Sequence, residues 1–132
     1  MNGTPPAEFE LQLRKIWTGF GFALLMVGAV VSLIPGPEVR GGDKLLHFLT
    51  YMLLSGWFSL IVKYPGSLWL VLVGLISFGL LMEYLQGLTS YRMQDIDDAM
   101  ANSLGVMVGI GSRFTALREI MVKVDRYLHG LL

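Results

Sequence analysis

Side chains that exchange protons or bind ions are concentrated in three short stretches of the chain. The first stretch holds Lys44, His47 and Tyr51, the second Glu83 and Gln86, and the third Asp95, Asp98 and Asn102. Residues three or four positions apart lie on one face of an α-helix. Because all of these spacings are three or four, the sequence predicts three helices that each carry a polar face.

The candidate catalytic residues are His47, Glu83 and Asp98. Imidazole and carboxyl groups are the usual general acids and bases, so His47 or Glu83 is expected to transfer the proton. Asp98, together with Asp95, is expected to orient His47 or to bind a divalent cation. The spacing matches no specific metal-binding motif, so the sequence leaves the presence and the identity of an ion open.

Two basic residues suit an anionic ligand. Lys44 and Arg92 are expected to bind a phosphate or carboxylate, with Tyr51, Gln86, Asp95 and Asn102 completing the ligand-binding set. Structural alternatives stay open for several of them. In these alternatives Arg92 is an anchor at the membrane interface, Asp95 caps a helix N-terminus, and Tyr51 is an ordinary packed aromatic residue.

Three uncharged or nearly uncharged runs, residues 16–34, 45–62 and 67–86, have the length that crosses a bilayer, roughly 17–25 residues. A fourth run, residues 95–111, is weaker because three aspartates lie among its first four residues. Of the 132 residues, 54% are hydrophobic and 15% charged, against about 25% charged in soluble domains. The sequence therefore predicts an all-α polytopic membrane protein with four transmembrane helices.

The chain divides into a polar arm over residues 1–15, the transmembrane domain over 16–111, and an amphipathic basic helix over 112–132. This last helix either lies on the membrane surface or extends the fourth span into solvent. Gly105 and Gly109 form a GxxxG step, which is expected to allow close helix packing and weakly permits homo-oligomers. The formal net charge of zero gives no electrostatic case for nucleic acid, and the absence of cysteine excludes disulfides and thiolate chemistry. A cleaved signal peptide is disfavoured, because no Ala-x-Ala site follows the first run.

Lysine and arginine are distributed unequally between the two predicted membrane faces. The richer face would hold Arg14, Lys15, Lys63, Arg113, Arg118, Lys123 and Arg126, and the other Arg40, Lys44 and Arg92. The positive-inside rule then places both termini in the cytoplasm. His47, Glu83 and Asp98 would all lie near the opposite, outer face, and such intramembrane ionisable groups usually face one another.

The segments DKLLHFLTYMLL and EYLQGLTSYRMQDIDDAMANSLGVMVG resemble the VanZ-like family of small bacterial integral membrane proteins. The family pattern runs Asp-Lys-x-x-His-x-x-x-Tyr, Glu-x-x-Gln and Arg-x-x-Asp-x-x-Asp-x-x-x-Asn-x-x-Gly-x-x-x-Gly. This chain matches it with Asp43, Lys44, His47, Tyr51, Glu83, Gln86, Arg92, Asp95, Asp98, Asn102, Gly105 and Gly109. The resemblance implies the bacterial cytoplasmic (inner) membrane and a link to glycopeptide resistance of the teicoplanin type, and it adds Asp43 to the ligand-binding set.

Three functions fit these residues. The first is an enzyme acting on an anionic cell-envelope lipid or lipid-linked precursor. The second is a non-catalytic protein that binds or modulates cell-wall precursors. The third is a proton- or ion-coupled transporter, since intramembrane acidic residues and histidine form proton relays. The sequence leaves open whether the protein is an enzyme.

Overall fold

A computed structural model describes residues 10–34, 42–90 and 95–132. These residues form five α-helices and no β-strand. The helices are α1 (Arg14–Leu33), α2 (Gly42–Ile61), α3 (Leu68–Gly87), α4 (Ile96–Ile110) and α5 (Leu117–Leu131), with short 3₁₀ turns at Pro65–Ser67 and Gly111–Phe114. The all-helical class predicted from the sequence is thus confirmed.

Three of the helices are long and apolar enough to cross a membrane, namely α1, α2 and α3. Their outward surfaces expose large apolar side chains, such as Met26 and Val27 on α1 and Trp69 and Leu70 on α3, each at least 60% exposed. Such continuous apolar surface would be unfavourable in water and is suited to lipid. The weaker fourth run forms α4, which has only 15 residues.

Helix α4 lies directly against the backbone of α2, because two glycines leave room for it. A side chain at Gly105 would collide with the backbone of Phe48 and Met52, and one at Gly109 with Met52 and Gly56. The GxxxG step is therefore used inside the chain, where it brings the polar faces of α2 and α4 together. The contacting residues are spaced by four on each helix, at positions 48, 52 and 56 of α2 and 105 and 109 of α4, so each set lies on one helix face.

One carboxylate on the C-terminal helix α5 joins this helix to the start of α1. Asp125 is fully buried. It accepts hydrogen bonds from the backbone N–H groups of Gln12, at 2.7 Å, and Leu13, at 2.9 Å, and from the Trp17 indole, at 2.7 Å. Since the first N–H groups of a helix have no partner within it, Asp125 acts as an N-terminal cap supplied from far along the chain.

Arg113 binds the C-terminal end of α2. Its guanidinium donates to the carbonyl oxygens of Ser59, Val62 and Lys63 at 2.9, 2.6 and 3.2 Å. Burial, with smaller contributions from the positive charges of Arg118 and Arg14, lowers the pKa of Arg113 to about 10, so it stays protonated at neutral pH. Its cationic fork satisfies carbonyl groups that the helix end leaves without partners.

Candidate functional site

Three titratable side chains from three different helices meet at one end of the bundle. His47 lies on α2, Glu83 on α3 and Asp98 on α4, and one ligand atom from each lies within 4.8 Å of the other two. Glu83 is only 3% exposed, while His47 and Asp98 are half-buried. The imidazole and the two carboxyl groups, which we call the triad, can therefore act on one ligand together.

The Glu83 carboxyl group links the end of α3 to the start of α4. Its Oε1 accepts a hydrogen bond of 2.6 Å from the backbone N–H of Asp95, the residue that caps α4. Its Oε2 is buried and has no hydrogen-bond partner among the described residues. A buried carboxylate oxygen without a partner is costly, so it indicates a position where a proton, an ion or a ligand belongs.

A second polar layer lies one helical turn below the triad. Tyr51, Gly79 and Asn102 are each four residues from a triad member on the same helix. A Cβ at position 79 would lie 3.1 Å from the Tyr51 ring and 3.3 Å from the Asn102 amide nitrogen, so glycine is what lets these two side chains meet. Asn102 is 2% exposed, and its Oδ1 has no hydrogen-bond partner within the described chain.

Below this second layer the bundle becomes apolar. Leu54, Val71, Leu75 and Val106 form the core there together with Tyr51. Ser55 satisfies its hydroxyl by donating to the Val106 carbonyl oxygen at 2.6 Å. Among the described residues, the ionisable part of the site therefore lies at one end of the bundle, above this core.

The rim of the site carries an exposed ion pair. Lys44 Nζ lies 3.3 Å from Asp97 Oδ2, and both side chains are more than half exposed. Asp95 caps α4 by accepting from the Asp97 N–H at 2.9 Å, as the structural alternative for Asp95 predicted. Lys44 thus places a positive charge at the entrance, while the buried Glu83 of the triad lies deeper.

The matching family model has the description VanZ/LLP1, and it matches residues 6–117. The chain belongs to the VanZ/LLP1 family. It is also 27% identical over 130 residues to an uncharacterized protein of the fission yeast Schizosaccharomyces pombe, covering 94% of this chain and 80% of the yeast protein. A similar protein thus occurs outside bacteria. No solved structure is significantly similar to this chain.

Not every residue of the family pattern faces the triad of this VanZ/LLP1 chain. Gln86 donates instead to the Ser32 carbonyl oxygen near the end of α1, at 2.8 Å. Its position about 60° around the helix from Glu83 accounts for this different neighbour. The side chain of Asp43 and the whole of Arg92 lie outside the described residues.

An apolar groove runs along the outer seam between α3 and α4 of this VanZ/LLP1 protein. It is lined by Leu80, Ile96, Ala99, Met100, Ser103, Leu104 and Met107. Leu80 lies three residues before Glu83, and Ala99 directly follows Asp98. The groove therefore begins at the same level along α3 and α4 as Glu83 and Asp98, and it opens to the outside of the bundle.

The sequence pattern does not reveal two buried charged residues. Asp125 falls on the polar side of the helical pattern over residues 112–132, and Arg113 contributes only to the positive-inside count. Their partners are more than 45 residues away, so helical periodicity cannot reveal them. The one local signal is an acidic residue spaced four positions from the buried Met121.

Proposed function

We propose that this VanZ/LLP1 protein binds an anionic membrane lipid or lipid-linked precursor and acts on its headgroup by proton transfer. The observation that carries the proposal is the meeting of His47, Glu83 and Asp98 at one end of the bundle. Ionisable groups inside a membrane are costly and are retained mainly where they function. A buried Glu83 oxygen that has no hydrogen-bond partner among the described residues further supports a ligand there.

A lipid suits the surroundings of the triad. The groove along α3 and α4 is suited to an acyl chain, because its walls are apolar and it faces outward. A lipid lying there would have its headgroup at the triad and within reach of Lys44 at the rim. A single amphipathic ligand thus accounts for the apolar groove and the polar end together.

We assign roles to the triad from its chemistry. His47 transfers the proton, because imidazole gains and loses protons near neutral pH. Asp98 holds the imidazole in position, and Glu83 fixes the polar end of α4 through the Asp95 N–H. Lys44 binds the negative charge of the headgroup, and we extend this role to Arg92.

Four membrane spans fit this proposal best. The fourth would cover residues 95–111, whose 17 residues lie at the short end of the spanning range of roughly 17–25. Helix α4 runs beside α2 from the triad to Gly56. Because α2 is long enough to cross a membrane, α4 would cross the membrane alongside it. Arg14, Lys63 and Arg113 lie at the end opposite the triad, and the positive-inside rule places that end in the cytoplasm.

The triad would then face the outer side of a bacterial cytoplasmic membrane, where lipid-linked cell-wall precursors are used. A contribution to glycopeptide resistance would follow from action on such a precursor. Ion-coupled transport is less favoured, because the apolar core around Leu75 and Val106 continues where a proton path would need polar groups.

The proposal is tested by turnover in a defined membrane. Purified protein is reconstituted in liposomes containing a bacterial lipid extract, and lipids are followed by mass spectrometry over time. We expect a lipid species to be converted by wild type and by His129→Ala, which removes the other histidine, and not by His47→Ala. Identical lipid profiles for wild type and His47→Ala would contradict catalysis, and lipid retention without conversion would indicate a binding protein.

A further inference from the structure

Among the described residues, negative charge outweighs positive charge around the triad. Asp95, Asp97 and Asp98 lie with Glu83 at this end of the bundle, and in the described part of the chain Lys44 and His47 are basic groups whose charges act on these carboxylates. An anionic headgroup entering this site would be repelled by the carboxylates. An additional positive charge would remove that repulsion.

The triad has the donor atoms and the spacing to bind such a charge. In a tetrahedral site, ligand atoms that are each about 2.1 Å from the ion lie about 3.4 Å apart. The three donor atoms of the triad lie within 4.8 Å of one another, so a shift of each donor atom by less than about 1 Å would bring them to an ion.

Glu83 supplies an independent observation. Its Oε1 is occupied by the Asp95 N–H, whereas Oε2 is buried and has no hydrogen-bond partner among the residues described. The residue is 97% buried, so solvent does not readily compensate this oxygen. A bound cation would give it a partner and would neutralise the buried carboxylate.

We propose that His47, Glu83 and Asp98 bind one divalent transition-metal ion, Mn²⁺ or Zn²⁺. An imidazole with two carboxylates suits these ions better than Mg²⁺ or Ca²⁺, which prefer oxygen ligands throughout. Three protein ligands leave coordination positions open for a phosphate oxygen. The role of the ion in lipid chemistry rests on the function proposed above: with His47 as a ligand, a water molecule on the ion would take over the proton transfer assigned to His47. Ion binding itself rests on the triad alone.

The test measures metal in protein purified in mild detergent with an affinity tag that contains no histidine. Elemental analysis gives the metal content as isolated, and Mn²⁺ titration of chelator-treated protein, followed by electron paramagnetic resonance, gives the affinity. We expect about one ion per chain, and an affinity at least about tenfold weaker in His47→Ala, Glu83→Gln and Asp98→Asn.

Two matched variants, His129→Ala and Glu119→Gln, remove an imidazole and a carboxylate outside the triad and should bind Mn²⁺ like wild type. Glu83→Gln keeps an oxygen acceptor for the Asp95 N–H, so its folding is checked by circular dichroism and should be normal. Absence of metal, or equal Mn²⁺ affinity in all variants, overturns the proposed site.

The same samples separate this inference from the proposed function. If a lipid binds wild-type protein that contains no metal, the proposed ion site is wrong and the lipid proposal is unaffected. A triad-dependent ion with no bound or converted lipid supports the metal site and overturns the lipid proposal.

Discussion

Glu83 accepts a hydrogen bond from the backbone N–H of Asp95 over 2.6 Å, and this contact joins the polar end of α3 to the first residue before α4. The acceptor oxygen therefore fixes the start of α4, and with it the position of Asp98 near His47. One carboxyl group thus has a structural oxygen, Oε1, and an oxygen available to a ligand, Oε2.

The two oxygens of Glu83 can be separated by substitution. Glu83→Gln keeps an oxygen acceptor for the Asp95 N–H, so we expect thermal unfolding in detergent close to wild type. Glu83→Ala leaves that N–H without its partner and should lose about 1–3 kcal/mol of stability. Both variants should lose ligand binding. Equal destabilisation of the two variants would show that Oε1 does not stabilise the helix junction.

Glycine substitutions should differ sharply by position. Gly105→Ala is expected to lower the unfolding temperature, because the new methyl group meets the backbone of Phe48, which cannot move alone. Gly74→Ala is the matched control, since nothing lies within 4 Å of its Cβ position. It should be neutral or stabilising by up to about 1 kcal/mol. Tryptophan fluorescence during heating measures both, and a neutral Gly105→Ala would rule out close α2–α4 packing.

Removing the Asp125 carboxylate should detach α5 without altering the triad. Asp125→Ala leaves three donors without their acceptor, at a cost of at least about 2 kcal/mol. Asp125→Asn keeps one acceptor oxygen and should be intermediate. Hydrogen–deuterium exchange over residues 117–131 is expected to rise in the order wild type, Asn, Ala. Unchanged exchange in Asp125→Ala would contradict the capping role.

Lys44 should affect ligand binding but not folding. Its ion pair with Asp97 is exposed, and such pairs add little to stability. We expect Lys44→Gln to weaken binding of an anionic lipid several-fold, and raised salt to weaken wild-type binding in the same direction. Lys123→Gln, on the exposed surface of α5, is the control and should bind like wild type. Equal affinity of Lys44→Gln and wild type would remove Lys44 from the ligand site.

The sequence allowed the helices and the polar end of the bundle to be predicted because both depend on local spacing. His47 and Tyr51 are four residues apart, as are Asp98 and Asn102, so their shared faces follow from helical geometry alone. The high cost of burying such groups in lipid then indicates that the faces meet. The role of Gly79 was harder to see, because it depends on Tyr51 and Asn102 approaching from two other helices.

Other features depended on contacts that local spacing does not encode. Gln86 shares a helix face with Gly79, yet it binds Ser32 on α1, since the rotation of α3 relative to its neighbours is set by packing. From the sequence, Asp125 is a solvated residue of a basic helix, whereas in the structure it binds the start of α1. The short length of α4 likewise reflects a start fixed by Asp95 and Glu83 rather than by hydrophobicity.

The most direct test of the central proposal is native mass spectrometry of wild type, His47→Ala, Asp98→Ala and His129→Ala released from mild detergent. We expect an anionic lipid or polyprenyl-phosphate adduct on wild type and on His129→Ala, and its loss from His47→Ala and Asp98→Ala. The same adducts on all four proteins, or none on wild type, would show that the triad does not bind a lipid headgroup.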